Sequence, residues 1–134
     1  MRFAIRCSFL VACLCAGAAA AQAPAEDGQT LFAKNCAACH QADGKGIPGA
    51  FPALAGSSVV TGALGEVSEV LLKGRGGMPD FSGSLDDAEI ALVVSYARSS
   101  WGNRAPPVTS AEIEARRSEL QIAPASRSRF GNKH

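Results

Sequence analysis

The apolar positions of this chain change texture along its length. Behind Arg2 and Arg6, Cys7 to Ala21 form one apolar run that ends in small residues, Ala19-Ala20-Ala21. That pattern predicts an export leader over residues 1–21, cleaved before Gln22; the run is too short and too alanine-rich for a good membrane span. From residue 28 the pattern turns helical. Leu31, Phe32 and Cys36 share a face of a helix predicted over 28–38, with Asp27 as its N-cap. Residues 41–56 hold Gly44, Gly46, Pro48, Gly49, Pro52 and Gly56, which predicts a loop. Leu64, Val67, Val70, Leu71 and Leu72 recur at helical spacing until Gly74 stops the helix. Val59-Val60-Thr61, just before, reads equally well as a turn or a short helix. Residues 74–81 return to glycine and proline. Residues 84–100 carry the clearest helix: Ile90, Val93, Val94, Ala97 and Trp101 make one apolar face. Ser84 or Asp86 can cap it, Asp86 and Glu89 have the spacing of a capping box, and Gly102 ends it. Pro106-Pro107 marks a boundary. Thr109 and Glu112 repeat the capping-box spacing, so a short, largely exposed helix is expected over 110–120. Residues 126–134 read as a basic tail, more simply a solvated terminus than a docking arm. The elements are all helical. They predict an all-α domain over 22–103 and a C-terminal extension over 104–134.

Composition narrows this picture. At 134 residues the prior is one small domain. Cleavage of the leader removes Cys7, Cys13 and Cys15, so only Cys36 and Cys39 remain and no separate structural disulfide is available. Leu10-Val11-Ala12-Cys13 resembles a lipoprotein processing box, but the residues behind it stay apolar, and simple cleavage is the preferred reading. Loss of Arg2 and Arg6 turns the formal charge of +1 slightly negative, which argues against a nucleic-acid partner. A mature domain of this size cannot build a large core alone.

The candidate chemistry sits at Cys36-Ala37-Ala38-Cys39-His40. This is C-x-x-C-H, the spacing for covalent attachment of a c-type haem. Positions i, i+3 and i+4 share one helical face, so two thiols and an imidazole face the same ligand. Cys36 and Cys39 are the candidates for thioether links to one haem, and His40 for the proximal iron ligand. A zinc site would want a second ligand pair, and a redox dithiol would want a βαβ setting; the sequence offers neither. The second ring nitrogen of His40 needs an acceptor, for which any carbonyl of the 41–56 loop would serve. Met78 is the only methionine after the initiator and sits in a glycine/proline loop, off every apolar stripe. It is the candidate sixth ligand; the other histidine, His134, is the last residue of a polar tail. Arg75 is either a partner for a haem propionate or a solvated loop charge, and Phe81 is expected to pack beside the ring. Phe32, Tyr96 and Trp101 read as core and edge packing.

In this order the motifs resemble a class I cytochrome c over about residues 28–103. Gly28 and Phe32 with Val93 and Tyr96 look like the family's contact between first and last helices. Pro52-Ala53-Leu54-Ala55-Gly56 resembles the loop whose proline carbonyl supports the proximal histidine, and Met78-Pro79 resembles the distal methionine. The 51–56 loop and the run from Met78 to Asn103 are especially similar to cytochrome modules of bacterial periplasmic dehydrogenases and nitrite reductases. The resemblance implies a small cytochrome c fold, three to four helices and loops wrapped around one covalent haem. It implies a periplasmic electron-transfer protein without enzymatic activity. A dehydrogenase would donate, a terminal oxidase or reductase would accept, and the chain would act as a monomer or in a weak complex, with no membrane span once mature. Two rivals stay open: a gas-binding or sensing haem protein, and an obligate cytochrome subunit of a dehydrogenase.

Overall fold

The computed structural model describes residues 26–125. The leader, Cys13, the tail over 126–134 and His134 lie outside the described residues. Six helices follow one another: α1 (Gly28–Asn35), α2 (Ala37–His40), α3 (Ser58–Thr61), α4 (Leu64–Lys73), α5 (Asp87–Ser99) and α6 (Ser110–Glu119). Among the described residues there are no strands, and none of the helices is long and apolar enough to cross a membrane.

The fold is all-α, but two expectations about its elements need correction. A single helix over 28–38 does not form. Cys36 sits at φ −123°, outside the helical range, where its N–H still caps α1 through Phe32 O and a new turn, α2, begins behind it. The C-x-x-C-H stretch therefore straddles a helix break, which re-aims Cys36 relative to Cys39 and His40. The second correction is the count, six helices where three or four are expected; α6 itself forms as expected. Its capping box is present, with Thr109 Oγ1 accepting from Glu112 N and the Glu112 carboxylate accepting from Thr109 N. It is largely exposed, as expected, but two of its side chains turn inward: Ile113 is fully buried and Arg117 is 2% exposed. Val108 on the approach to α6 is buried as well. The helix count exceeds three or four because of the break at Cys36, the single turn at α3 and the packed α6.

The core runs between α1, α4, α5 and α6 through Leu31, Phe32, Val67, Leu72, Ile90, Val94 and Ile113. Phe32, Tyr96 and Trp101 meet as a triangle, with ring centroids 5.0 to 5.5 Å apart. Trp101 Nε1 donates to Ala42 O at 3.0 Å, so its polar edge is satisfied while its ring packs. Gly44 lies against that ring at φ +68°, where a side chain would be both strained and clashing.

The approach of α1 to α5 depends on Gly28. A Cβ there would stand 2.3 Å from Leu92 O and 2.9 Å from Tyr96 Cβ. Gly28→Val must push the two helices apart. Its expected cost is about 1–3 kcal/mol, the usual range for overpacking. In a domain of this size that lowers Tm by roughly 5–20 °C, measurable by thermal unfolding.

Candidate haem site

The loop after α2, the turn of α3 and the inner faces of α4 and α5 line an apolar cleft of about 230 Å³. Val59, Val60, Val67, Val70 and Leu71 form much of one wall; Phe32, Val93, Val94 and Ala97 contribute from α1 and α5. The helical periodicity that buries α4 and α5 also supplies these walls. Cys36, His40, Pro52, Arg75 and Met78 line the same cleft, so residues 42 positions apart in sequence converge on it.

His40 is buried, and its Nδ1–H donates to Pro52 O at 2.9 Å. This bond holds the ring and leaves Nε2 as the nitrogen with a free lone pair. The acceptor is held in turn. Gly46 N donates to His40 O at 2.9 Å, and Leu54 N and Ala55 N donate to Gly44 O at 2.7 and 3.0 Å. Asn103 then fastens the loop to α5: its Nδ2 donates to Leu54 O and Ala97 O, and its Oδ1 accepts from Gly56 N at 2.8 Å. Sequence reasoning missed Asn103. A polar residue just past a helix-ending glycine gives no signal of its own.

Met78 is half-buried at the turn between α4 and α5. The turn is closed by two backbone bonds, Arg75 N to Met78 O at 3.2 Å and Met78 N to Arg75 O at 3.0 Å. Phe81 N donates to Leu71 O at 2.8 Å, tying the far side of the turn to α4. Arg75 is exposed and pairs with Glu66 at 3.5 Å while reaching the cleft wall. Phe81 packs against the hydrophobic core and is not one of the wall residues.

Both cysteines are half-buried. Burial, with the Cys39 charge adding to it, pushes the Cys36 thiol up to about 11. Cys36 lines the cleft and Cys39 does not. Arg98, also missed in the sequence, is buried behind the wall with no carboxylate partner in the described contacts. Its guanidinium donates to Val60 O at 2.7 Å, Gly62 O at 3.0 Å and Pro106 O at 2.9 Å. An arginine on a helix is exposed by default, so periodicity gave no reason to place it inside.

The residues fit a haem. The walls are apolar, two thiols stand at the required spacing, and an imidazole nitrogen and a thioether sulfur belong to one cleft. An imidazole with a thioether is a donor pair of the kind that holds a haem iron.

Fold and cleft together define a c-type cytochrome. The family model for cytochrome c oxidase, cbb3-type, subunit III matches residues 23–96, and the chain belongs to that family. Cytochrome c-552 of Thermus thermophilus is 33% identical, with 90% of this chain and 94% of that protein covered. The cytochrome c subunit of alcohol dehydrogenase (quinone) of Gluconacetobacter polyoxogenes is 39% identical over 64% of this chain. The match spans only 21% of that subunit's own length. The cbb3-type cytochrome c oxidase subunit CcoP of Azospirillum brasilense is 34% identical over 61% of this chain and 30% of its own length. The chain is an electron-transfer cytochrome with covalently bound haem c. Helix α6 lies beyond the residues that the family model matches.

Proposed function

We propose that Cys36 and Cys39 form the two thioether links, and that His40 Nε2 and Met78 Sδ are the two axial iron ligands of a free, periplasmic, single-electron carrier. The haem, when bound, supplies the Fe(III)/Fe(II) couple. The observation that carries this reading is the bond from His40 Nδ1–H to Pro52 O inside the cleft that Met78 shares. That bond makes the imidazole a stronger donor through Nε2. The neutral sulfur of Met78 favours reduced iron, so the pair sets a raised potential. With His40 and Met78 both holding the iron, a bound haem would offer a substrate no open position, and the chain would act as a carrier. The apolar walls keep water from the site, and Arg75 at the wall is placed to meet a propionate. The match along most of cytochrome c-552 supports a carrier over a gas sensor or an obligate dehydrogenase subunit. Its donor is a dehydrogenase and its acceptor a terminal oxidase or reductase.

A spectroelectrochemical titration tests this. One haem iron per chain and a single one-electron wave that returns the starting spectrum are expected. A wave split over two sites, or loss of the protein's spectrum on cycling, contradicts it.

A further inference from the structure

Two consecutive arginines on α6 reach to opposite ends of the segment that carries Met78. Arg116 Nη2 donates to the Glu69 carboxylate at 2.6 Å, on α4, the helix that enters the segment. Arg117 goes to its exit. Its Nε donates to Asp87 at 2.7 Å, in the first turn of α5. Its Nη1 donates to Ser82 O at 2.9 Å and its Nη2 to Leu85 O at 3.4 Å, both in the stretch between Met78 and α5. A further bond to Ala123 O at 3.1 Å ties the chain end onto the same guanidinium. The Arg117 side chain is only 3% exposed. A charge this deep is held by every partner it has, and removing the fork leaves those carbonyls and Asp87 without a donor. Fully buried Ile113 already anchors α6 to the core. The bonds to Ser82 and Leu85 do something else: they fix the backbone just after the Met78 turn. The turn itself is held by the Arg75–Met78 backbone pair, the Phe81 bond to Leu71 and an exposed Arg75–Glu66 ion pair.

We infer that α6 is a brace for the Met78 loop, and that Arg117, supported by Arg116, is a positioning residue that keeps Met78 closed on the haem cleft. This rests on the reading of Met78 as an iron ligand. It gives a role to a helix outside the region matched by the family model.

The test uses the full haem-loaded chain and exogenous imidazole, which takes the methionine's place on ferric iron. Its apparent affinity rises with the fraction of molecules whose loop is open. Arg117→Gln is expected to bind imidazole about tenfold more tightly than wild type or better, well below its Tm. Arg117→Lys falls between the two, because it keeps the charge and loses the fork. Arg98→Gln removes an equally buried arginine that makes no bond to the flanks of Met78. It is expected to lower Tm without changing imidazole affinity. The proposal is overturned if Arg117→Gln binds imidazole as wild type does, or if Arg98→Gln raises the affinity equally. If Arg117→Gln shows no cooperative melt, Asp87→Asn is judged by the same criterion. Met78→Ala separates the two claims. If it binds imidazole no more tightly than wild type, the ligand reading fails and the brace with it. If it binds more tightly while Arg117→Gln and Asp87→Asn do not, the brace alone fails.

Discussion

Cys36→Ser combined with Cys39→Ser is expected to yield a chain from which acidified organic solvent extracts the porphyrin, whereas the wild type retains it through extraction. The same variant is expected to lose cooperative thermal unfolding. The walls explain why. Val59, Val70 and Leu71 are only half-buried and turn apolar surface into the cleft, which a large apolar group can cover. A domain of this size has a net stability on the order of 5–15 kcal/mol. Each side chain fully withdrawn from water contributes about 1.5–3 kcal/mol, so losing the group that completes the burial of these three removes a sizeable part of that margin. Covalent links keep the macrocycle present at any dilution, and without them its cover depends on concentration. Extraction followed by absorbance, and a thermal melt by circular dichroism, read the two consequences separately. If the doubly substituted chain retains haem through extraction, the thioether assignment is wrong.

The second large effect is expected at Met78. Met78→Ala should abolish the weak far-red band of methionine sulfur on ferric iron and open the reduced iron to CO. It should also lower the reduction potential. Axial ligands move haem potentials over ~0.8 V across proteins, and a fall on the order of 0.1–0.2 V is the expected share of this one. The fold should survive, since Met78 is half-buried and the turn around it is closed by backbone bonds, not by its side chain. A variant with wild-type spectrum and potential would remove Met78 from the site.

The parts of the structure that depend on neighbours in sequence were legible before any coordinates. The two capping boxes at Asp86–Glu89 and Thr109–Glu112 and the apolar faces of α4 and α5 are local patterns, and each appears where its spacing put it. What failed was set by packing. The break at Cys36 is invisible to periodicity, because its neighbours are good helix formers and only the backbone angle at one residue differs. On the largely exposed α6, the two inward side chains, Ile113 and Arg117, were not legible either; one apolar residue makes no stripe, and an arginine reads as solvent-facing. Asn103, Arg98 and Arg117 are the polar residues that join loops to helices across long sequence separations. Each satisfies main-chain carbonyls, a task that leaves no side-chain pattern to detect. Pro52 is the intermediate case. Its residue type fits a carbonyl acceptor, but proximity to His40 is a property of the folded loop.

The central claim is that His40 and Met78 both hold the iron of one covalently attached haem. The most direct measurement is the optical spectrum of the haem-loaded protein, oxidised and reduced, with CO added to the reduced form. The account predicts a far-red sulfur band in the oxidised protein, sharp six-coordinate bands on reduction, and no change with CO. A wild-type spectrum without the far-red band, together with ready binding of CO, would contradict it and point to a gas-binding haem protein.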